Sequence, residues 1–521
     1  MFSERIHRNV YIFSLILLGV SIPFSVFLMS VSQFLLATNW LLELDFKNKW
    51  KRLIQNKPAL YLIGLFLLHL LWMLNSTNMA YGWHDIKIKL PLFVLAVLIG
   101  SSKQVQFKEL KLILDFFILS VVASTIVSAL IYFGIIEREI TDVRQISIFI
   151  SHIRLSLLIN IGLFSSYYFF VQTKSIFLRL GYVVASLWLL YFLVILNAYT
   201  GFVVFFFVII FMLLRSIIVN GKLWMKISSI VAIFTLLILV SFTSKSFIDR
   251  FYNIDQKPTV KSIEKYTVNG NRYKHNLKLN QIENGHYVYL YVSAKELETE
   301  WNKRSNIDFN EGLNQKGKPI KSTLIYYLTS LNLRKDSLGI SKLSEADIRL
   351  IEKGYSNYIY KNKLSPYTKV YPILKQMYLY SINAYAEGGS VVQRFEYLKI
   401  AKRIISDNFW FGVGTGDVDD AFKQHYMNGE STLSEEFQHR AHNQYVTFFI
   451  SFGILGFFLS LFFMFAPIFQ KQVFFLSLVY ILVAFFSMLN EDTLETQAGI
   501  TFFTFFLLLF FMSNLPLSKS K

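Results

Sequence analysis

Long apolar runs separated by short polar intervals dominate the pattern of this sequence. A helix needs about 20 mostly apolar residues to cross a bilayer. The first block, residues 9–44, exceeds one span and is interrupted at Pro23, so it predicts two short helices in a tight hairpin. Ten further runs each predict one span: 59–75, 88–101, 111–136, 147–171, 178–196, 198–218, 225–243, 443–467, 472–489 and 497–513. The expected fold is an all-α polytopic membrane protein with about twelve transmembrane helices.

Lysine and arginine in the short loops predict which helix ends face the cytoplasm. With a cytoplasmic N-terminus, the inside loops are 45–58, 102–110, 172–178, 216–224 and 468–471, and they carry Lys47, Lys49, Lys51, Arg52, Lys57, Lys103, Lys108, Lys174, Lys222 and Lys471. The outside loop 490–496 is acidic, whereas the outside segment 137–144 is an exception with two arginines. We therefore expect both termini in the cytoplasm and residues 244–441 on the periplasmic face.

The long polar region predicts an ordered domain of mixed α/β structure. Residues 257–292 alternate polar and β-favouring residues around the turn sequence 268–271, which indicates a small strand pair. From Lys321 the pattern becomes helical, with a helix start at 344–347 and an amphipathic run at 371–386. The predicted division is 1–243 with helices 1–9, 244–441 as the periplasmic loop domain (insert 255–388, arginine helix and glycine turn 390–416), and 442–521 with helices 10–12.

Composition agrees with a membrane protein. The chain is 54% hydrophobic and 17% aromatic, with a mean hydropathy of +0.43. Its net charge of +18 lies mostly beside apolar runs, where it sets orientation, so nucleic acid is not an expected partner. The chain has no cysteine, which excludes disulfides and thiolate chemistry. No small-residue cleavage site follows the first apolar run, so that run is expected to be a retained helix.

Arg394 is the first candidate for chemistry. On a helix it shares a face with Leu398, Ala401 and Ile405. A solvated charge would avoid an apolar face, so this guanidinium points either into a site or to the lipid boundary. Its planar fork suits a diphosphate. The alternative is an arginine whose stem packs while its head reaches water, and the pattern alone leaves both open.

His442 lies where the outer region returns to the membrane. An imidazole there can accept a proton from a hydroxyl nucleophile, with Asn443 orienting it or contacting sugar. The alternative is an interfacial histidine at a helix N-terminus. His439 and Arg440 are close in sequence and are either surface residues or further charges for an anionic substrate.

Two other patterns stay open. Gly412, Gly414 and Gly416 lack the spacing of a dinucleotide fingerprint and indicate either close backbone packing or amides that approach a ligand. The acidic run 417–420 resembles a metal-binding triplet, a pattern that is common by chance.

In the membrane half, Arg154 (with His152) is a costly ionisable group near the outer end of a span, and 197–201 is a polar break between spans.

The order of these motifs carries a resemblance. Arg394 on a helix, the turn 412–416, Ala441-His442-Asn443 and then Gly453-Ile454-Leu455-Gly456 resemble the shared core of the bacterial O-antigen ligase and polymerase family. Twelve spans with a large outer loop before the tenth extend the resemblance over most of the chain. The insert, with 268–271 and 283–286, resembles that of Bacteroidetes-type members.

The resemblance implies a C-type glycosyltransferase-like membrane fold and transfer of a glycan from undecaprenyl diphosphate to an acceptor hydroxyl, with inversion and without metal or other cofactor. It implies that Arg394 binds the diphosphate and that His442 is the general base. The family often carries a Ser-Arg-Gly triplet near position 200, where this chain has Tyr199-Thr200-Gly201. Arg154 or Arg440 is expected to replace that arginine, unless the donor is held differently.

The expected function is that of an inner-membrane O-antigen ligase, with a polyprenyl-diphosphate-linked glycan as donor, lipid A-core as acceptor and the bilayer as a further partner. An O-antigen polymerase or a protein O-oligosaccharyltransferase, with a glycan or protein acceptor, would share donor and mechanism, so these alternatives stay open. A polysaccharide flippase is the alternative of another class, but it would show charges through its spans and repeated halves.

Overall fold

The computed structural model describes residues 3–140, 142–219, 221–362, 365–384, 389–431, 433–469 and 474–512. The chain divides into two compact units. The bundle unit comprises Met1–Ser229 and Arg394–Lys521, and the insert unit comprises Ile230–Gln393. Arg394 and His442 therefore both belong to the bundle unit.

The described residues form twenty α-helices and one short hairpin. The first ten helices are α1 (Glu4–Ser21), α2 (Val26–Leu42), α3 (Phe46–Gln55), α4 (Lys57–Leu71), α5 (Met79–Gly100), α6 (Phe107–Tyr132), α7 (His152–Gln172), α8 (Ile176–Leu196), α9 (Tyr199–Val219) and α10 (Leu223–Phe251). The insert unit continues with β1 (Ile282–Glu283), β2 (His286–Tyr287), α11 (Ala294–Asn302), α12 (Ile320–Ser330), α13 (Ser337–Ser341), α14 (Glu345–Glu352) and α15 (Pro366–Ser381). The last five helices are α16 (Ser390–Asp407), α17 (Val418–Met427), α18 (Gln444–Phe465), α19 (Phe475–Met488) and α20 (Gln497–Met512).

Helices occupy the apolar runs of the sequence. Each of the twelve predicted spans contains a helix of the described part, but the number of membrane crossings stays a prediction. Seven helical segments there are long and apolar enough to cross a bilayer: Lys57–Asn75, Phe107–Tyr132, His152–Gln172, Ile176–Leu196, Tyr199–Ile218, Leu223–Phe251 and Gln444–Phe469. Three shorter apolar helices are α2, α19 and α20. The chain is thus a mostly helical polytopic membrane protein.

Local chemistry accounts for most helix boundaries. The predicted hairpin around Pro23 is present, since α1 ends at Ser21 and α2 begins at Val26. Helix α5 begins at Met79, well before residue 88, because the Asn78 side chain accepts from the Tyr81 N–H at 3.0 Å and caps it. Residues 46–55, expected in a loop, form α3. Residues 470, 471 and 513–521, which include Lys471, lie outside the described residues.

The insert unit has its own core. Trp301, Phe309, Leu324 and Tyr327 are almost fully buried in it. Helix α14 begins where the sequence predicts, with the Ser344 hydroxyl accepting from the Asp347 N–H at 3.2 Å.

The strands of this unit are shorter than the pattern indicates. The hairpin pairs Ile282 with Tyr287 and Glu283 with His286 across an Asn-Gly turn. The predicted turn at 268–271 is present, with one isolated bridge between Tyr266 and Arg272.

Candidate functional site

Arg394 lies on the flank of α16. The face of this helix that packs in the core consists of Tyr397, Ile400, Ala401 and Ile404, whereas Leu398 is 41% exposed. Of the predicted face, Ala401 lies in this core and Ile405 packs against it, whereas the inclusion of Leu398 is wrong. Arg394 is half-buried at the edge of the core face. The reason is that the core contacts select a stripe rotated from the one that sequence spacing suggested.

The Arg394 guanidinium binds the loop between α19 and α20. Nη1 donates to Oδ1 of Asn490, and Nη2 lies 3.4 Å from the carbonyl oxygen of the same residue. The Asn490 amide in turn donates to the Thr200 hydroxyl at the start of α9. The Tyr-Thr-Gly sequence at position 200 thus lies two hydrogen bonds from Arg394.

Asn443 and a strained backbone fix the position of His442. The Asn443 Oδ1 accepts from the N–H groups of Tyr445 (3.0 Å) and Val446 (3.1 Å), so Asn443 is the N-cap of α18. Its Nδ2 donates to the Leu489 carbonyl at 3.0 Å, which ties α18 to the end of α19. His442 itself has φ 49°, an uncommon conformation for a residue other than glycine.

The imidazole of His442 lies between two other rings. Its centroid is 5.8 Å from that of Tyr397 and 6.2 Å from that of His439, an exposed residue. Burial lowers the pKa of His442, and the positive charges of Arg394, His439 and Arg440 act in the same direction, against the attraction of Asp492. His442 is therefore neutral at pH 7 and can accept a proton.

Arg394 and Asp492 act electrostatically on this histidine, and with Arg154 and Glu491 they form what we call the open cluster. Glu491 attracts both Arg394 and Arg154 electrostatically. Burial raises the pKa values of Glu491 and Asp492. Within the described residues, the Arg154 guanidinium has neither a hydrogen bond nor an ion pair. The cluster thus contains cationic donors that the protein leaves incompletely paired.

Arg440 lies in a second group, the closed cluster, with Glu495, Lys89, Asp85 and Gln444. Glu495 accepts from Lys89 Nζ at 3.0 Å and from Gln444 Nε2 at 2.9 Å, and Lys89 also pairs with Asp85 at 2.5 Å. The Nη1 atom of Arg440 is 3.6 Å from Glu495.

Attraction among these charges outweighs their burial. Burial by itself disfavours the charged form of Arg440, but Glu495, Asp492 and Asp419 raise its pKa. Burial likewise opposes the charged form of Glu495, yet Lys89 and Arg440 lower its pKa. The structure therefore assigns the charge of Arg440 to carboxylates of the protein, in contrast to Arg154.

The glycine turn packs directly on α18. Gly453 has φ 62° and ψ −171°, which kinks α18 and leaves nearby carbonyls without helical partners. The N–H of Val413 donates to the Ile450 carbonyl at 2.8 Å, and that of Gly414 donates to the Ser451 carbonyl at 2.9 Å. These amides bind the protein, so close packing is the function of this turn.

The contact leaves no room for side chains. A Cβ on Gly412 would lie 2.5 Å from the Ile450 oxygen, and one on Gly453 would lie 2.3 Å from the backbone of Trp410. Further along, the Gly416 N–H donates to the Ser76 hydroxyl at 2.9 Å. Only glycine can occupy positions 412 and 453 without displacing the backbone.

The acidic run 417–420 is used for internal hydrogen bonds. The Asp417 carboxylate accepts from the N–H groups of Thr77 and Asn78, each at 2.7 Å, and Asp420 accepts from the Asn78 amide at 2.7 Å. Asp419 lies 3.4 Å from Arg440. Across the described residues, no group of three or more His, Asp or Glu side chains is arranged to hold a metal ion.

Comparison with known proteins gives one positive finding. Residues 364–461 match the family model described as O-antigen ligase. The resemblance to the O-antigen ligase and polymerase family is confirmed. The match covers about a fifth of the chain, from α15 to α18, and includes Arg394, the glycine turn and His442. No curated protein matches the sequence.

Sequence reasoning missed the loop 490–495 as a neighbour of Arg394 and His442. Asn490, Glu491 and Asp492 contact or attract the two predicted functional residues, but the sequence indicated only that this loop is acidic and outside. A usable signal was present, because a short acidic loop on the same predicted face as Arg394 and His442 is a natural partner for them.

Proposed function

We propose that this protein is an inner-membrane glycosyltransferase that moves an O-antigen glycan from undecaprenyl diphosphate to lipid A-core. The observation that carries the proposal is the convergence of Arg394 and His442 on the loop 490–492. A guanidinium that can hold a diphosphate thus lies beside a neutral imidazole that can accept a proton. The family match supports the same reaction class.

His442 is the general base in this proposal. It takes the proton of the acceptor hydroxyl as that oxygen forms a bond to the anomeric carbon. The bond from this carbon to the diphosphate oxygen breaks, with inversion, and undecaprenyl diphosphate departs. The negative charge that develops on the diphosphate is stabilised by a cation rather than by a proton donor. Arg394 supplies this cation, so a metal is not required for this step.

Arg154 is the second diphosphate-binding residue and replaces the arginine that the family often carries near position 200. Two observations support this role over Arg440. The Arg154 guanidinium has no hydrogen bond or ion pair within the described residues and shares Glu491 with Arg394. Arg440 instead interacts with Asp419 and Glu495. Asn443, His439, Gly414 and Gly416 support the site by fixing or flanking these residues.

The proposed topology has twelve membrane-crossing helices: α1, α2, α4 to α10 and α18 to α20. Both termini are cytoplasmic, and residues 244–441 form a periplasmic α/β loop domain. The positive-inside pattern supports this orientation. Charges within these helices are paired, Lys111 with Asp115 at 2.5 Å and Lys89 with Asp85, which lowers the cost of placing them near the bilayer.

The decisive test is glycan transfer by variants of the two central residues. Arg394→Ala and His442→Ala should each lower transfer from a purified lipid-linked donor to lipid A-core by about 10²-fold or more, because each loses a transition-state interaction. Arg403→Ala is the matched control, since Arg403 lies on the same helix with its side chain 45% exposed. Normal transfer by both test variants would refute the proposal.

The acceptor is tested separately by the surface lipopolysaccharide of a deletion strain. Loss of a ligase leaves lipid-linked polymer that is not attached to core. Loss of an O-antigen polymerase leaves single repeats on core, and loss of a protein O-oligosaccharyltransferase leaves lipopolysaccharide unchanged. Either of the last two results would reassign the acceptor while preserving the donor chemistry.

A further inference from the structure

The insert unit contains a cleft that is separate in sequence from Arg394 and His442. It has a volume of about 460 Å³ and is lined by residues from 255–258, 286–291 and 329–335. Tyr287 and Tyr291 supply aromatic rings, and Asp255, His286 and Asn332 supply planar polar groups. Ring faces combined with a few fixed polar groups are typical of a small-molecule site.

A buried lysine forms part of the lining. Lys335 is only 4% exposed, and the described residues give its ammonium one hydrogen bond, a long one of 3.3 Å to the Tyr287 carbonyl. Burial lowers the pKa of Lys335 to about 8, against the attraction of Asp255. An ammonium has three donors, and a buried charge is stable only when it is paired. Lys335 therefore has donors left for an acceptor in the cleft.

The backbone holds this lysine in place. The Lys335 N–H donates to the Tyr291 carbonyl at 3.0 Å, and its own carbonyl accepts from Ser293 N–H at 2.8 Å. Among the described residues, no carboxylate forms an ion pair with this ammonium. Asp255 instead accepts from Nδ1 of His286 at 2.7 Å.

Tyr291 adds evidence for a built site. Its φ of 54° is left-handed, a strained conformation for an aromatic residue. The ring is fixed by T-shaped contacts with His275 (5.0 Å) and Tyr273 (5.7 Å), and the Arg334 guanidinium lies 5.0 Å from its centroid. Strain of this kind persists only where surrounding contacts enforce it, and it is concentrated at ligand sites.

We propose that this cleft binds a saccharide with an acidic substituent. The carboxylate or phosphoryl group accepts from the Lys335 ammonium, and the apolar face of a sugar ring packs on Tyr287 or Tyr291. The polar side chains at the cleft bind hydroxyl groups. The site is distinct from that of glycan transfer, and the proposal does not depend on that reaction.

The test measures binding by the full-length protein in detergent, without any lipid-linked donor. The probe is trigalacturonate, and maltotriose is the neutral control of equal length. We expect trigalacturonate to bind more tightly than maltotriose. Lys335→Met should weaken trigalacturonate binding by about tenfold, the loss expected for one charge-assisted hydrogen bond. Lys342→Met is the matched control because that lysine is exposed and outside the cleft.

Three results would overturn the proposal: binding of neither saccharide, equal binding of both, or unchanged trigalacturonate binding by Lys335→Met. The thermal unfolding midpoint shows whether that variant folds. If it does not, Tyr287→Leu decides instead, since it should weaken both saccharides and unchanged binding would refute the site. Transfer by the Arg394 and His442 variants is measured independently, so the two proposals fail separately.

Discussion

The open and closed clusters use similar side chains in opposite ways. In the closed cluster, Glu495 has partners on both carboxylate oxygens, and the nearby charges raise the pKa of Arg440. In the open cluster, Arg154 has no hydrogen bond or ion pair within the described residues, and burial raises the pKa of Glu491. The first group balances most of its own charges, although the buried Nε of Arg440 has no hydrogen-bond partner within the described residues. In the proposed function, the second group leaves positive charge available to a ligand.

The two clusters show that the partners of an arginine distinguish a structural charge from a candidate ligand-binding charge. Arg154 and Arg440 are both costly charges near a bilayer, and the sequence gives no reason to prefer one of them as the second arginine beside Arg394. Their partners do separate them. A guanidinium paired with carboxylates attracts a diphosphate weakly, because the carboxylates repel the ligand. A guanidinium that is hydrogen-bonded to neutral groups attracts it more strongly.

The largest expected effect is on stability and concerns the closed cluster. Glu495→Gln should lower the free energy of unfolding by about 3 to 5 kcal/mol, because Lys89 and Arg440 lose a buried counter-charge. Thermal unfolding in detergent measures this change. Glu436→Gln, at an exposed position, is the control and should change stability by less than about 0.5 kcal/mol. An equally small change for Glu495→Gln would show that the cluster does not stabilise the fold.

The pH dependence of this contribution has a defined sign. The folded-state pKa of Glu495 is lowered by Lys89 and Arg440 against the effect of burial. Its stabilising contribution is therefore complete above the ordinary glutamate pKa and is lost as the pH falls through the folded value. Glu495→Gln should accordingly remove part of the acid sensitivity of unfolding.

The next effect is on catalysis and concerns the open cluster. Arg154→Gln should lower the rate of glycan transfer by about 10²-fold with little change in stability, because it removes a cation from the departing diphosphate. Transfer from purified donor, corrected for the folded fraction, measures it. Arg138→Gln, at an exposed arginine, should transfer normally. The comparison fails if Arg440→Gln, after the same correction, loses more activity than Arg154→Gln.

The smallest effect is on pH dependence. Asp492 raises the pKa of His442 against the larger effect of burial. Asp492→Asn should therefore lower that pKa further and move the acid limb of the rate profile to lower pH. The rate at pH 7 should change by less than about twofold, since the imidazole is already neutral there. Glu435→Gln, an exposed change, should leave the profile in place. A shift to higher pH would show that Asp492 does not act on His442.

The elements that carry the site could be predicted from sequence because their signals are local. Apolar runs mark the membrane helices, and Asn443 marks the start of α18. Arg394 and His442 could be proposed because their order around the glycine turn resembles a known family. The family match confirms that resemblance, and the roles of the two residues stay predictions. The alternation of polar and β-favouring residues in 257–292 overestimated the length of the strands, since most of that segment forms turns and isolated bridges.

Pairing between distant residues could not be predicted. Lys89 and Glu495 are 406 positions apart, so nothing near either residue indicates which carboxylate neutralises which cation. The glycine turn is similar: its two interpretations differ only in whether its amides have a protein partner. That partner is the backbone of α18 beside its kink at Gly453.

The contact between the glycine turn and the kink in α18 joins two backbone segments directly, with no side chain between them. The stretch from 413 to 450, which contains α17, His442 and the start of α18, therefore has both ends anchored to each other by backbone hydrogen bonds. At its tip, Gly429 faces open space, where a Cβ would meet nothing within 4 Å. We therefore expect that residues can be inserted or deleted next to Gly429 without breaking these two anchors, so that this stretch can change length while His442 keeps its position.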